Sequence, residues 1–586
     1  MAQQLGRFTP QGGATVYISW VGEIKYCTVR RGSNGHVNMR HRMQKSIRFA
    51  IVSSLNFQAR YVPMHLPPEA ARYVPSRHAP DVAARLRGAL TCGFLLALSF
   101  PPFPFPVLGS FALLPLLRLW YYQTDMRLMY LDSFFALLVT FLVVFSWPLL
   151  HRLPDAAWAS LSGFFVLPML LALPFALAIP IRRQFGIPLG CAALVSFSVA
   201  IEWGISHGPF AMPGPLLGNT LAGAPSLNQI ADLAGVPGLT LWVWLCNLCF
   251  FFVITGVHKR RRIAAGISVV ILFMASYAYS AFRIDDTFGA ETTVTLGLVQ
   301  PASAPEQWAS EDKTAQVDAL VALSDSFLHA APAPNLLIWP ETAITVLRNA
   351  PHTAERMRSW VDGHGIPLLT GAIADAPGRL PALSFANSAL LYRPALPTLR
   401  YDKNKLVPFA ERIPFESVLP HLDFMRVEAG GVAGYQPGRE RVLLPVGARQ
   451  VGPLICFESL FGDYTRRYVK MGADVLVVVA QTGWWGRSFG PWQFLAFTRL
   501  RAIETRRAVV LATVAGPSAL ILPSGRIEVA TDWMKRRALT VHAPIATERT
   551  FYVTYGDWVS IVGMAVALLL TGWFFVNRFS ERWLHT

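Results

Sequence analysis

The sequence predicts a multi-pass α-helical membrane domain of about eight transmembrane helices joined to a water-facing α/β domain, and three observations carry this reading. The chain of 586 residues is 53% hydrophobic and only 15% charged, whereas about a quarter of the residues in a soluble domain are charged. The apolar residues are segregated, with the long uncharged runs lying before 285 or after 557 and ordinary charge density between them. Within 285–555, short β-type runs alternate with helical stretches, the pattern of an α/β fold.

Apolar segments fall near 88–106, 107–122, 130–150, 157–180, 185–205, 237–257, 262–282 and 558–576, each close to the roughly 20 residues that cross a bilayer core. Pro101, Pro102, Pro104 and Pro106 crowd the link between the first two, which makes these the weakest pair. Short loops keep Lys and Arg on the cytoplasmic side. Arg118 with Arg127, Arg182 with Arg183, the run Lys259-Arg260-Arg261-Arg262, and Arg578 with Arg582 mark one side, and no Lys or Arg occurs from 184 to 258. Seven crossings from a cytoplasmic start place the α/β domain outside the cytoplasm. The expected organisation is a basic tail over 1–87, a seven-helix membrane domain over 88–284, an external domain over 285–556, and a membrane helix with a short cytoplasmic end over 557–586.

The formal charge of +17 matters through its placement. Residues 1–87 hold 13 Lys and Arg against 3 acids, so this tail is expected to be cytoplasmic, disordered and attracted to anionic membrane lipids. It has no recognisable nucleic-acid-binding fold, and nucleic acid is not an expected partner. Nor does it read as a cleavable signal peptide, because no short apolar stretch with a small-residue cleavage site follows an early basic cluster.

Of the six cysteines, Cys92, Cys191, Cys246 and Cys249 fall in membrane segments and Cys27 in the tail, which leaves Cys456 alone in the external domain. It can form no disulfide within that domain, and an unpaired thiol in an oxidising compartment points to a use. Cys246-Asn-Leu-Cys249 lies in an apolar helix and reads as packing.

Chemistry in α/β sheets gathers at the carboxyl ends of strands. Glu341 follows the run Leu336-Leu337-Ile338-Trp339-Pro340, Lys403 lies in Tyr401-Asp402-Lys403-Asn404-Lys405-Leu406-Val407-Pro408-Phe409, and Cys456 ends Gly452-Pro453-Leu454-Ile455-Cys456. Singly, Glu341 reads as a helix cap and Lys403 as a solvated charge. Together they form an acyl-transfer set: a carboxylate to take a thiol proton, an ammonium to hold an oxyanion, and a sulfur nucleophile. A nearby cation and the start of the helix after Cys456 are expected to favour its thiolate. No spaced His/Cys metal cluster, P-loop or G-x-S-x-G elbow is present, so neither metal nor cofactor is expected.

The strings Trp339-Pro340-Glu341-Thr342-Ala343, Tyr401 to Pro414 and Ile455-Cys456-Phe457-Glu458 resemble the Glu-Lys-Cys signature of the nitrilase (carbon–nitrogen hydrolase) superfamily, and within it most resemble the bacterial apolipoprotein N-acyltransferase family. Phe100-Pro101-Pro102-Phe103 and Gln229-Ile230-Ala231-Asp232-Leu233-Ala234-Gly235-Val236-Pro237-Gly238, running into a helix with Asn247, are similar to that family as well. The resemblance covers about residues 88–580. It implies an extracytoplasmic αββα nitrilase-like sandwich on the membrane part, at the outer face of the bacterial inner membrane. It further implies a ping-pong reaction in which Cys456 takes an acyl chain from the sn-1 ester of a phospholipid as a thioester. The amine of a diacylglyceryl-modified apolipoprotein then accepts that chain. The roles implied are general base for Glu341, oxyanion cation for Lys403, and supporting carboxylates for Glu411 and Glu458.

Several positions depart from the family pattern. Gln481-Thr482-Gly483-Trp484-Trp485-Gly486 stands where Asn-Asp-x-Trp-Phe-Gly is common, and Thr513-Val514-Ala515-Gly516 replaces an Asn-containing turn. Ala211-Met212-Pro213-Gly214 replaces a Phe-Pro-Trp type string, and Ile205 stands where an arginine is expected three residues after Glu202. A membrane-tethered amidase or nitrilase-like hydrolase and a catalytically silent membrane scaffold are the competing functions. Gly430-Gly431-Val432-Ala433-Gly434 is expected to be a mobile loop over the lipid portal.

Overall fold

The computed structural model describes residues 6–8, 15–21, 24–30, 36–39 and 80–585, the last with short breaks at 151–153, 209, 257, 285–291, 309–312, 347–350, 377–384, 414–427 and 430–431. The first residues form a unit of their own. Strands β1 (Gly6–Phe8), β2 (Thr15–Val21), β3 (Ile24–Arg30) and β4 (His36–Met39) make an antiparallel sheet in that order. These strands fall in the stretch expected as a disordered tail. Charge dominated that expectation, whereas β-branched and aromatic residues fill Thr15–Val21 and Ile24–Arg30, which pair directly from Val21↔Ile24 to Thr15↔Arg30. Residues 40–79 of the tail lie outside the described residues.

The membrane part begins at helix α1 (Val82–Ser99), six residues before the expected boundary, because Asp81 caps it by accepting from Ala84 N at 2.6 Å. Arg85, counted with the tail, belongs to this helix and pairs with Asp132 at 2.8 Å. Segment 107–122 is not a spanning helix. Pro106 opens a short 3-10 turn, Pro106–Ser110, and only nine residues then form α2 (Leu114–Tyr122). Asn247 holds this broken segment, donating to Gly109 O at 2.7 Å and accepting from Leu113 N at 2.9 Å. Seven helices among the described residues are long and apolar enough to cross a membrane. Besides α1 these are α3 (Met126–Val144), the 163–185 part of α4 (Pro154–Phe185), α5 (Ile187–His207), α7 (Ala231–Thr255), α8 (Lys259–Arg283) and the 558–580 part of α15 (Trp558–His585). The short helix α6 (Pro225–Asn228) precedes α7.

The broken segment still returns the chain to the end of the bundle from which α1 started. Arg85 near the start of α1 meets Asp132 near the start of α3, and Arg182 at the end of α4 donates to Gln123 O just after α2. The opposite end carries the α/β domain.

That domain contains two sheets. One runs β10 (Leu396–Asp402), β9 (Phe385–Arg393), β8 (Leu368–Asp375), β6 (Leu336–Ile338), β5 (Thr293–Gln300) and β19 (Arg537–Pro544), with β7 (Ile344–Val346) against β8. The other runs β13 (Leu444–Val446), β14 (Arg449–Ile455), β15 (Val475–Ala480), β16 (Val509–Thr513), β17 (Ala519–Ile521) and β18 (Ile527–Ala530). The small pair β11 (Glu428–Ala429) and β12 (Val432–Ala433) stands apart, so part of the expected glycine loop is a hairpin.

Alternation along the strands sets the layers. Leu296, Leu298, Leu336 and Ile338 share one core with Leu454, Val477 and Leu511 of the facing sheet. Val299, Leu337 and Leu368 turn the other way, onto α10 (Thr314–Ala330) and α11 (His352–His364). Helices α12 (Gly462–Met471) and α13 (Gly490–Thr505) flank the second sheet, which completes an αββα sandwich. The short helix α9 (Pro305–Trp308) precedes α10, and α14 (Phe551–Tyr555) leads into α15.

A buried ion cluster fastens the sandwich to the bundle. Asp232 accepts from Arg283 Nε at 2.8 Å, Arg506 Nη2 at 2.9 Å and Tyr279 OH at 2.8 Å, so one carboxylate serves two arginines from different layers. Removing one partner of a buried pair leaves an uncompensated charge and costs about 3–5 kcal/mol. Asp232→Ala is therefore expected to lower the thermal unfolding midpoint of the detergent-solubilised protein by several degrees, with Asp232→Asn falling between it and the parent.

Candidate active site

The strand ends bring the predicted side chains together. Glu341 lies three residues past β6, Lys403 directly after β10 and Cys456 directly after β14. All three are buried, at 4%, 1% and 7% exposure. Lys403 Nζ donates to Glu341 Oε1 at 3.0 Å and to Glu411 Oε1 at 2.8 Å. Asn387 Nδ2 reaches the same two oxygens at 2.8 and 3.1 Å, closing a ring of two donors and two carboxylates. The remaining oxygens are also engaged, Glu341 Oε2 by Gln481 N and Glu411 Oε2 by Val407 N, each at 2.8 Å.

Close approach and strain hold this geometry. A Cβ on Gly371 would sit 2.4 Å from Glu341 Cα, so the backbone carrying the carboxylate packs where only glycine fits. Thr342 and Cys456 have positive φ, 51° and 47°. Such conformations cost about 1–3 kcal/mol each and persist where the surroundings over-determine them.

Glu458 acts differently from Glu411. It does not touch Lys403; its carboxylate accepts from Asn404 N at 2.7 Å, Lys405 N at 3.1 Å and Ile455 N at 2.8 Å, and from Tyr401 OH at 2.7 Å. One buried carboxylate thereby ties the loop carrying Lys403 to the turn carrying Cys456. Burial raises the pKa of Glu458, against which the bonds from Tyr401 and the three amides favour its charged form.

The electrostatics correct one expectation. Cys456 was expected to be held as thiolate by a cation and a helix start. Burial instead pushes its thiol well up, the Glu341 and Glu411 charges push it further, and Lys403 with the Gln481 amide pulls it down only in part. Two carboxylates outnumber the one ammonium, and Cys456 opens a short 3-10 turn, Cys456–Leu460, ahead of α12. For Lys403, burial disfavours the ammonium, yet Glu341 and Glu411 outweigh it and hold the group charged. The resting set is a thiol, an ammonium and an adjacent carboxylate.

The site opens into a cavity of about 270 Å³ whose walls come from both solvents' sides of the molecule. Phe141 of α3, Phe145 just past its end and Phe164 of α4 line it together with Trp485 and Phe497 of the sandwich. Gln493 latches the two halves beside it. Its side chain donates to Pro101 O and Val144 O, each at 2.9 Å, and accepts from Trp147 Nε1 at 2.7 Å, while the Trp147 ring meets Trp485 edge-on at 4.7 Å.

Of the divergent positions, Met212, Gly214 and Gln481 line this cavity, whereas Ile205, Val514 and Ala515 do not. The buried Ile205 supplies the carbonyl that accepts from Met212 N at 2.9 Å. At Gln481 the bond to Glu341 comes from the backbone, and the side-chain oxygen accepts from Gly483 N at 2.7 Å. Val514 and Ala515 are fully buried in the core beyond β16.

The sandwich with Glu, Lys and Cys at its strand ends defines a carbon–nitrogen hydrolase domain, and that family model matches residues 295–551. A second model, the apolipoprotein N-acyltransferase N-terminal domain, matches residues 92–249. The chain belongs to the apolipoprotein N-acyltransferase family. It is 30% identical over 506 residues to the apolipoprotein N-acyltransferase of Geobacter metallireducens, covering 82% of this chain and 94% of that one. To the apolipoprotein N-acyltransferase of Chlorobaculum tepidum it is 28% identical over 510 residues, covering 82% and 95%. Among solved structures, Saccharomyces cerevisiae Nit3, a member of branch 10 of the nitrilase superfamily, aligns with 43% of this chain and 90% of its own at 14% identity and a TM-score of 0.34.

The charge balance predicts a divergence between reactivity and turnover. Glu341→Gln removes a negative charge beside the thiol and leaves Lys403, so the apparent pKa of Cys456 should fall and alkylation by iodoacetamide at pH 8 should quicken. Acyl transfer should fall in the same variant by about 10²–10⁴-fold, the usual contribution of a general base. Alkylation rates across pH, read beside transfer rates, check both.

Proposed function

We propose that this lipoprotein N-acyltransferase works through a thioacyl enzyme on Cys456, with Glu341 as general base and Lys403 as the oxyanion-stabilising cation. The observation that carries this is the meeting of these three groups at the floor of an apolar cavity walled partly by membrane helices. As Cys456 Sγ attacks the ester carbonyl of a phospholipid, its proton passes to Glu341. The tetrahedral oxyanion forms beside Lys403, whose charge is already oriented by Glu411 and Asn387. The ester C–O bond then breaks, Glu341 returns the proton to the departing alkoxide, and lysophospholipid leaves. In the second half the amine of a diacylglyceryl-modified apolipoprotein attacks the thioester, Glu341 takes the amine proton, and as the C–S bond breaks Glu341 passes that proton to the departing sulfur, which regenerates the thiol.

The sulfur is not ionised in advance, and this suits the order of events. A thiolate here would add a third negative charge to a buried site with one cation, whereas proton transfer during attack keeps the net charge constant. Both substrates keep their acyl chains in lipid, where each methylene brought into water would cost about 0.8 kcal/mol. The apolar walls favour an amine over bulk water as acceptor, which separates transfer from the alternative of simple hydrolysis.

The site faces the outside of a bacterial inner membrane on this reading. The bundle end with Arg85 and Arg182 also carries the cationic loops at Arg118, Arg127 and 259–262, as cytoplasmic ends do, and the sandwich occupies the other end.

Intact-mass measurement after incubation with phospholipid should show one acyl chain added, located on Cys456 and absent in Cys456→Ala. A diacylglyceryl peptide should discharge it with formation of the amide, while a peptide with a blocked amine should not. Label on another residue overturns the nucleophile, release of free fatty acid at the same rate without the peptide favours the hydrolase, and unchanged transfer in Cys456→Ala leaves a scaffold role.

A further inference from the structure

A second cavity, of about 190 Å³, lies where the outer end of α5 meets α12, α13 and the start of α15. Its lining is far more polar than that of the catalytic one. Leu460, four residues after Cys456, lines both cavities. Arg441 Nε, Arg501 Nε, Glu504 Oε2 and Ser560 Oγ, all from residues lining it, are buried without a hydrogen-bond partner among the described residues. Arg501, Glu504 and Ser560 are at most 2% exposed. Unpartnered buried polar atoms on this scale point to a bound polar group.

The local charge says what kind. Lys405 and Arg441 converge on one wall, Lys405 Nζ 5.3 Å from the Phe461 ring centre and the Arg441 guanidinium 4.1 Å from that of Tyr464. The lining carboxylates are engaged elsewhere, apart from Glu504 Oε2. Asp463 binds Arg466 and Arg467, Glu202 accepts from Leu217 N and Thr240, and Asp557 accepts from Tyr552 and lies 3.6 Å from His207. Glu504 Oε1 already accepts from Val236 N and Arg501. Burial and the neighbouring Arg441 and Arg412 lower the pKa of Lys405, the signature of cations crowded without sufficient countercharge.

We propose that this second cavity holds the phosphodiester headgroup of the donor phospholipid, with Lys405 and Arg441 on the phosphate and Glu504 Oε2 and Ser560 Oγ facing the headgroup alcohol. The inference rests on the thioacyl reading above, because it names how the donor ester is presented to Cys456. In a glycerophospholipid the phosphate and the ester carbonyl are separated by the glycerol alone, and here one side chain, Leu460, lines both cavities. Occupancy would reach the catalytic lysine through the backbone, since Glu458 binds the amides of both Asn404 and Lys405.

The test is steady-state kinetics with phospholipid donor and diacylglyceryl peptide, with sn-glycerol 3-phosphate and inorganic phosphate as probes. Lys405→Ala and Arg441→Ala should each raise the KM for phospholipid about tenfold while kcat changes less than about threefold, the pattern of lost ground-state binding. Glycerophosphate should compete with phospholipid in the parent and lose that competition in both variants. Lys405→Arg should restore most of the affinity, which separates charge from folding. A fall in kcat at constant KM, or no change in either, overturns the proposal. So does inorganic phosphate that alters kcat without competing with the lipid, which would mark a free-anion site. If the parent forms no thioacyl enzyme, the mechanism fails; if it does and both variants match it at subsaturating donor, only the headgroup site fails.

Discussion

One buried ammonium organises the site. Lys403 is 1% exposed, and at that depth an unpaired charge would cost several kcal/mol, so the fold must deliver carboxylates to it. It delivers two from different parts of the chain, Glu341 beyond β6 and Glu411 on the loop after Lys403 itself. Each oxygen facing Lys403 is also held by Asn387, which fixes the carboxylates relative to one another. Burial first, and the same excess of negative charge after it, raise the pKa of the Cys456 thiol. Base, cation and nucleophile are thus a single electrostatic unit, and no member's ionisation is set independently of the others.

Around that unit, the molecule reconciles two solvents. Its interface uses polar groups where backbones meet and apolar ones where a chain must pass. Asp232 with Arg283 and Arg506, and Glu504 with Val236 N and Arg501, fix the sandwich to the bundle. Gln493 satisfies two carbonyls of the bundle and the Trp147 indole at once, so the aromatic wall of the catalytic cavity is held by hydrogen bonds behind it.

Much of this was legible in the sequence, for identifiable reasons. Runs such as Leu336–Ile338 and Val475–Ala480 are short, apolar and followed by chemistry-bearing residues, and they are strands with those residues at their ends. The segment 107–122 misled because it is apolar throughout, yet the 3-10 turn opened by Pro106 takes its first residues and Pro115 stands in the first turn of α2, so only nine residues become helical. In the tail, charge masked the β-type composition of Thr15–Val21. Asn387 was missed because its signal is only a polar residue within the apolar strand Phe385–Arg393, and the Gln481 contribution is a backbone amide that side-chain patterns do not encode. The thiolate expectation failed for a related reason. A sequence shows that a lysine is near the cysteine, but the balance of charges around both depends on which carboxylates the fold turns inward.

That balance also bears on how transfer can prevail over hydrolysis in a fold shared with water-using enzymes. A site that kept a permanent thiolate would need a solvated or strongly cationic setting, and either would admit water to the acylated sulfur. Keeping the thiol neutral allows the surroundings to be apolar, and an apolar setting is also the one that acyl chains enter without leaving lipid. In the proposed mechanism Glu341 then acts only when a proton-bearing nucleophile is within reach, first the thiol and later the amine. The burial that, with the carboxylate excess, raises the Cys456 pKa and the aromatic wall beside it are therefore two sides of one arrangement: an uncharged thiol is buried among phenylalanines at far lower cost than a charged one.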